Sequence, residues 1–177
     1  MNLEVQIKET ALAMAFATEA SEQGWSRSAF EAFCAKRQIT PQQQRQLWPR
    51  GLRSVARSLN EAADEQMCLA WANVARASLV DIVLRRFADN QSLKPSVARL
   101  AKSDLLHPFD TLMRTSQTAE RMLLCRGGYR SRTPVGRFVE RWSLVVLYSV
   151  CVLVWIGDHT DGQLHTDRAT RRLLSTV

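Results

Sequence analysis

The chain has few residues that interrupt helices, with seven glycines and five prolines among 177 residues. Valine and isoleucine rarely alternate with polar residues, so the pattern typical of strands is also scarce. Hydrophobic residues make up 46% of the chain and charged residues 23%, as in ordinary globular domains. The length is sufficient for one domain with a real core. The sequence therefore predicts an all-α protein.

The four cysteines lack the spacing of a metal site or a redox motif. They form no C-x-x-C pair, lie far apart and have apolar neighbours, and they are Cys34, Cys68, Cys125 and Cys151. This pattern favours buried free thiols in a reducing compartment. The N-terminus has no basic segment followed by an apolar core, so we expect no secretory signal and a cytoplasmic location.

Motifs of known enzymes are missing as well. The chain contains no G-x-S-x-G, no P-loop and no G-x-G-x-x-G. Its three histidines, His107, His159 and His165, do not have the H-x-x-x-H spacing of a zinc site. No cysteine has an evident histidine base. We therefore expect a protein that is not an enzyme and that needs no metal or cofactor.

Acidic residues are outnumbered by basic ones, 17 to 24, which gives a formal net charge of +7. Such an excess permits nucleic acid, an anionic membrane or an acidic protein as partner. The densest positive cluster lies in and just after a loop predicted over residues 126–134, and its members are Arg126, Arg130, Arg132, Arg137 and Arg141. These side chains suit anionic lipid headgroups or a partner surface, and the alternative interpretation is a solvated loop.

Residues 142–156 form an uncharged run between Arg141 and Gly157. As a helix the run covers about 22 Å, whereas a bilayer core needs about 30 Å. Arg137 and Glu140 could not extend the run into lipid without a large cost. We therefore predict a helix that is apolar on all sides and hence buried on all sides, not a membrane span.

Capping signals predict helices along most of the chain. A first amphipathic helix over about residues 3–22 precedes two short helices, which Ser26 and then Thr40-Pro41 begin. Gly51 opens a longer helix, and further helices follow before and after the run at 142–156. Two short helices joined by a tight turn form a helix-turn-helix arrangement.

Four segments, taken in order and with their spacing, resemble one known family. They are Gly24-Trp25-Ser26, then Leu47-Trp48-Pro49-Arg50-Gly51, then Asp64-Glu65-Gln66-Met67, and last residues 145–149 with 153–158. In these segments the chain resembles the TetR-like lipid-binding accessory proteins of ubiquinone (coenzyme Q) biosynthesis, the ninth member of the Coq series and its bacterial relatives. The resemblance covers most of the chain.

The resemblance implies a TetR-like helical bundle with a degenerate N-terminal helix-turn-helix and a C-terminal apolar pocket. It divides the chain into a three-helix region over residues 1–50 and a continuous lipid-binding and dimerisation region over 51–177. Relatives have no known catalytic activity, bind isoprenoid or other lipids and present quinone intermediates to a hydroxylase. We therefore expect a homodimer that binds an isoprenoid or phospholipid, peripheral on the inner face of the membrane.

The pocket that the resemblance implies would be lined by helices over residues 108–125 and 142–156. Its candidate lipid-binding residues are Phe109, Leu112, Met113, Leu144, Leu147, Tyr148, Cys151 and Trp155. Burial of such side chains contributes roughly 1.5–3 kcal/mol each against either protein or lipid, so the pattern alone does not separate a core from a cavity. Departures from the family precede this helix, on the surface that meets the hydroxylase in the mitochondrial relative: Pro134 stands in place of an aspartate, Arg137-Phe138 in place of a tryptophan and a tyrosine, and Glu140 in place of a lysine.

The alternative function is that of a TetR-like DNA-binding regulator. Its base-reading residues would be glutamines and its phosphate contacts arginines, namely Gln42, Gln43, Gln44, Arg45 and Arg50. Regulators of that family usually carry glycine and tyrosine where Leu47 and Trp48 stand here. An interaction module with neither lipid nor DNA is the third hypothesis.

Overall fold

The computed structural model describes residues 3–74, 77–104 and 107–175. Within them all regular structure is helical and no strand occurs, which confirms the all-α prediction. Two short 3₁₀ turns, Gln91–Leu93 and Asp161–Gln163, accompany the α-helices. The helices are α1 Leu3–Gln23, α2 Arg27–Lys36, α3 Pro41–Leu47, α4 Leu52–Trp71, α5 Leu79–Asp89, α6 Lys94–Asp104, α7 Pro108–Cys125, α8 Pro134–Gly157 and α9 Leu164–Leu174.

Side-chain caps explain why several helices begin where they do. The Ser26 hydroxyl accepts the Ala29 backbone N–H, as the sequence predicted. Thr40 begins α3 with a reciprocal capping box, in which its hydroxyl accepts the Gln43 N–H and the Gln43 amide oxygen accepts the Thr40 N–H. The Thr133 hydroxyl caps α8 by accepting the Gly136 backbone N–H, and a proline follows it, so this helix begins eight residues before the uncharged run.

The chain forms two compact units, here called unit 1 and unit 2. Unit 1 comprises Met1–Ala62 with Ser92–Asp110, and unit 2 comprises Ala63–Gln91 with Thr111–Val177. Unit 1 therefore consists of two separate stretches of sequence, which the sequence did not predict. The division expected near residue 50 stays a prediction.

Unit 1 has a core of interlocking aromatic rings. The Phe16 ring meets the rings of Trp25, Phe30 and Phe33 edge to face, with centroids 5.1, 5.6 and 5.3 Å away. Trp48, which ends α3, contacts Phe30 in the same geometry. These contacts hold α1 against α2 and the end of α3, because Phe16 comes from α1, Phe30 and Phe33 from α2, and Trp48 follows α3.

Unit 2 is built on α8, which packs against α9, and α9 also packs against α5. Phe87 of α5 lies between two rings of α8, stacked on Trp155 at 5.0 Å and on Tyr148 at 6.1 Å between centroids. Leu144 and Cys151 of α8 are fully buried in the same core. One side of α8 thus supplies much of the core of unit 2.

The prediction that α8 is buried on all sides is wrong. Val146 and Leu153, both inside the uncharged run, expose 61% and 64% of their surface. Only 28% of the most apolar 18-residue window of α8 is buried. The helices of unit 2 cover one side of α8, and an uncharged sequence cannot specify how many sides its neighbours will cover.

Candidate functional site

A row of apolar side chains on α8, here called the exposed face, lies on the surface of unit 2. At 100° per residue, its members all fall within a sector of about 120° around the helix axis, while the buried residues of α8 centre on the opposite side. The members are Val135, Phe138, Val139, Val146, Val150 and Leu153. Both sides of this helix are therefore apolar, and only one of them is used by the core.

The exposed face extends along almost the whole helix. From Val135 to Leu153 it spans about 27 Å at the α-helical rise. Near its N-terminal end the Phe138 ring lies 5.9 Å from the half-buried Trp142 ring, so aromatic side chains gather at that end. An apolar row of this length is typical of a surface that contacts another apolar body.

Helix α8 has 24 residues and not only the 15 of the uncharged run, so its full length bears on whether it crosses a membrane. Within the described part of the chain, α8 is the one helix that is both long enough and apolar enough to cross a membrane, judged by length and composition alone. The length argument made from the sequence therefore does not hold. Arg137, Glu140 and Arg141 in its first two turns still oppose a span, and so does the packing of its other side in the core of unit 2.

The predicted arginine cluster lies beside the N-terminal end of the exposed face, but two of its members are neutralised. Arg126 pairs with Glu140, and the Nη1 atom of Arg141 lies 2.8 Å from a Glu120 carboxylate oxygen. Arg130, Arg132 and Arg137 remain exposed. The arginines offered to a partner are thus fewer than the sequence suggested.

Glu140 of α8 holds the loop over residues 126–134 in place through several hydrogen bonds. Besides the Arg126 guanidinium, its carboxylate accepts the backbone N–H of Arg130 at 3.0 Å and that of Ser131 at 3.4 Å. Burial raises its pKa, but the hydrogen bonds outweigh this effect and hold the pKa of Glu140 below its ordinary value. The residue that departs from the resembled family therefore has a local structural role, which its charge alone did not reveal.

The loop also packs closely on the first turn of α8. A Cβ atom on Gly136 would collide with the side chains of Ser131 and Thr133, so this position requires glycine. Gly127 and Gly128, with φ of 101° and 103°, let the chain leave α7 and turn back toward α8. These contacts fix where the exposed arginines stand relative to the exposed face.

The eight predicted lipid-binding residues differ in the unit to which they belong and in their exposure. Phe109 belongs to unit 1 and exposes 72% of its surface, whereas Leu112 and Met113 are exposed in unit 2. The residues from α8 lie in the core of unit 2, where Leu147 is half-buried and the others are buried, namely Leu144, Tyr148, Cys151 and Trp155. A lipid cavity between them stays a prediction.

Tyr148 is held by a buried polar network that the sequence did not predict. The Arg86 Nε atom donates to the Tyr148 hydroxyl at 3.0 Å, and Arg86 Nη1 lies 2.6 Å from Asp64 Oδ1. The Thr118 hydroxyl donates to the Asp64 carboxylate at 3.1 Å. Burial raises the pKa of Asp64, and the arginine and threonine oppose that rise. Arg86 and Asp64 expose 5% and 1% of their side chains, so the network is structural and leaves Tyr148 little freedom to face a ligand.

An open cleft lies elsewhere in unit 2, with a volume of about 570 Å³. It is lined by residues 77–80, 126–130 and 174–175. Arg126 and Arg130 of the arginine cluster take part, but none of the eight predicted lipid-binding residues does. Among the described residues, no group of three or more histidines, cysteines or carboxylates is placed to hold a metal ion.

The candidate DNA-binding residues lie on unit 1, where Gln42, Gln43, Arg45 and Arg50 are exposed and Gln44 is half-buried. Their helix α3 has seven residues. Gln43 is committed to the capping box of that helix.

Nearby positive charge is also reduced, because Arg53 pairs with Asp110 at 3.3 Å and Arg57 with Glu61 at 2.8 Å. The exposed Arg45 and Arg50 therefore lie on a unit in which neighbouring arginines are partly balanced by acidic side chains.

No family model matches the chain, and no curated protein and no solved structure is significantly similar to it.

Proposed function

We propose that this chain is a non-enzymatic lipid-binding accessory protein of ubiquinone biosynthesis, which presents an isoprenoid or quinone intermediate to a membrane-associated enzyme such as a hydroxylase. In this proposal it docks on an anionic membrane through the exposed face of α8 and the arginines beside it. The same proposal gives its helices a TetR-like arrangement with a degenerate helix-turn-helix.

The exposed face of α8 is the observation that carries the proposal. Its six apolar side chains lie in water unless another body covers them. Full burial of a side chain of this size is worth roughly 1.5–3 kcal/mol, so even partial burial of six gives several kcal/mol. A bilayer interface offers such burial while the opposite side of α8 stays packed in the core, as for a helix that lies in the plane of the membrane.

Charge favours a membrane with anionic lipids. Arg130, Arg132 and Arg137 are exposed at one end of the face, and each basic residue near an anionic surface contributes about 1 kcal/mol. Phe138 and Trp142 stand at the same end, where aromatic side chains suit the level of the headgroups. The apolar row supplies most of the affinity and the arginines select the lipid charge.

Vesicle co-sedimentation tests the docking. We expect binding to phosphatidylcholine vesicles that contain phosphatidylglycerol, and loss of most of that binding in a Val146→Ser, Leu153→Ser variant. The matched control is Leu69→Ser, which changes a leucine of α4 that is 76% exposed. Equal binding by the wild type and the double variant would remove the exposed face from the proposal.

The arginines have their own matched control. Arg130→Gln with Arg132→Gln removes two charges and should weaken binding to anionic vesicles by roughly 30-fold, from about 1 kcal/mol per charge. Arg45→Gln with Arg50→Gln removes the same charge from unit 1 and should change binding little. If both pairs weaken binding equally, net charge and not the site determines the affinity.

A second copy of the chain, as in the expected homodimer, is the alternative to the membrane as the body that covers the exposed face. If sedimentation shows a dimer that the Val146→Ser, Leu153→Ser variant dissociates, while lipid binding is unchanged, then the exposed face is an interface between two copies.

The bound intermediate has its own test. Lipid extraction and native mass spectrometry of the purified protein should detect an isoprenoid lipid. A lipid-free protein would count against the carrier role.

A further inference from the structure

Cys68 and Cys125 are in contact although they lie far apart in the sequence. Their sulfur atoms are 3.6 Å apart, with the Cys125 thiol donating to the Cys68 sulfur. Cys68 lies in the last turn of α4 and Cys125 is the last residue of α7, and both belong to unit 2. The expectation of four buried thiols is therefore wrong for this pair, which is half-buried, whereas Cys34 and Cys151 are buried.

Small molecules can reach this pair more easily than the other two thiols. The neighbours of the pair in sequence, Leu69 and Leu124, expose 76% and 61% of their surface, so the pair lies near the surface of unit 2. Cys34 and Cys151, in contrast, expose 3% and 0%. A reagent such as a small disulfide would therefore discriminate between the two pairs of cysteines.

We propose that Cys68 and Cys125 form a reversible intramolecular disulfide by exchange with a low-molecular-weight disulfide such as oxidised glutathione. A disulfide bond is about 2.05 Å long, so the two sulfur atoms must approach each other by roughly 1.5 Å. Both residues lie at helix ends, and Gly127 and Gly128 follow Cys125 with positive φ. The backbone next to Cys125 can adjust there more readily than inside a helix.

The exchange takes place in two balanced steps. The Cys68 thiolate attacks one sulfur of oxidised glutathione, the glutathione disulfide breaks, and one glutathione thiolate leaves. Cys125 then loses its proton and attacks the Cys68 sulfur of the mixed disulfide, which releases the second glutathione. In total the two protein thiols lose two electrons and two protons, and two glutathione thiols are formed.

The contact assigns different roles to the two thiols. Burial raises the pKa of Cys125 to about 12, with a further contribution from the neighbouring Cys68 sulfur. In this contact the Cys125 thiol donates to the Cys68 sulfur, so we assign the first attack to Cys68 and the second to Cys125. This assignment does not depend on the proposed lipid function.

The consequence would be a covalent link between the ends of α4 and α7. Arg126 follows Cys125 directly, and its guanidinium binds Glu140 of α8 and the Gly128 carbonyl. The link therefore lies next to the loop that carries the exposed arginines, and it would reduce the motion of that loop.

The test treats the reduced full-length protein with oxidised glutathione and follows its intact mass and proteolytic peptides. We expect the loss of two hydrogen atoms, a peptide link between Cys68 and Cys125, and reversal by dithiothreitol. Four titratable thiols that persist in the folded protein, under conditions that oxidise an unfolded sample, would overturn the proposal. A link only between two copies of the chain would overturn it too.

Two variants separate the pair from the other thiols. Cys125→Ser should lose the internal link completely and accumulate a glutathione adduct on Cys68. Cys34→Ala, the matched control, should form the internal link at the wild-type rate. If Cys125→Ser carries its adduct elsewhere, Cys68 is not the first nucleophile, and the proposed order of steps fails. Circular dichroism of each reduced variant confirms that the comparison is between folded proteins.

Discussion

The cores of the two units are built on different principles. The core of unit 1 centres on Phe16, which makes three edge-to-face ring contacts, and its buried polar groups include the Ser96 hydroxyl, which accepts the Trp25 indole N–H at 2.9 Å. The core of unit 2 includes a buried ion pair between Asp64 and Arg86, joined by Thr118 and Tyr148. Truncation of a side chain in an apolar core removes its packing contacts, whereas loss of one partner in a buried polar network also leaves another polar group buried without its hydrogen bond.

The same contrast extends to the surface. In unit 2 the polar network and the stacked rings of Phe87, Tyr148 and Trp155 fix one side of α8. The opposite side is then presented to solvent as the exposed face. The contacts on the buried side of α8 therefore fix the orientation of the exposed face relative to the core of unit 2.

The largest expected effect comes from breaking the ion pair. Arg86→Met leaves the Asp64 carboxylate buried without its cation, which should reduce the free energy of unfolding by about 3–5 kcal/mol. Urea unfolding measures this change. The double variant Asp64→Leu, Arg86→Met removes both charges and should recover much of the loss. A single variant as stable as the wild type would show that the pair does not distinguish the two cores.

A smaller loss is expected from the aromatic core of unit 1. Phe16→Leu keeps an apolar side chain but removes three ring contacts, each worth about 0.5–1.5 kcal/mol, so we expect a loss of about 2–3 kcal/mol by urea unfolding. Phe109→Leu, which changes a phenylalanine that is largely exposed, is the matched control and should have little effect. Similar losses in both variants would mean that ring geometry contributes little.

Acid sensitivity should distinguish unit 2 in a different way. Burial opposes ionisation of Asp158, but hydrogen bonds from Thr160 and Thr166 outweigh it and hold the pKa of Asp158 well below its ordinary range. A lowered folded-state pKa stabilises the fold above the unfolded value of about 3.9, and this contribution is lost as the pH falls toward the folded value. Asp158→Asn should therefore flatten the acid limb of thermal unfolding below about pH 4, and an unchanged limb would exclude this role.

The smallest effect on stability is expected at the exposed face. Val146→Ser with Leu153→Ser should change the free energy of unfolding by no more than about 0.5 kcal/mol per site, since surface substitutions usually do. Thermal unfolding measures it, and Leu144→Ser, on the buried side of the same helix, should cost several kcal/mol. Equal losses on both sides would show that the face is covered in the folded protein.

Local signals predicted the helices well. Ser26, Thr40 and Pro41 start helices where the capping rules place them, and the helix bounds differ from the expected ones mainly at α8. Thr133-Pro134 is a start signal of the same form as Thr40-Pro41, but the sequence-based prediction began the helix only after the charged residues Arg137 and Glu140. The physical reason is that caps and helical hydrogen bonds join residues at most four apart.

The candidate site was harder to predict. The arginine cluster was identified, yet the pairing of two of its members, Arg126 and Arg141, with glutamates was not, because charge counts do not show which side chains meet. The pairing of Asp64 with Arg86 and the contact of Cys68 with Cys125 depend on helices brought together by the fold. The TetR-like arrangement and the lipid pocket implied by the resemblance stay predictions.

The sequence by itself determined that this protein is all-α, where most helices start, and that α8 carries no charge over most of its length. Only the tertiary structure decided which side of α8 faces the core, which arginines remain exposed and which thiols touch. Helix formation depends on neighbours along the chain, whereas burial and pairing depend on neighbours in space. For that reason α8, which was predicted to be buried on all sides, exposes the apolar residues on which the proposed function depends.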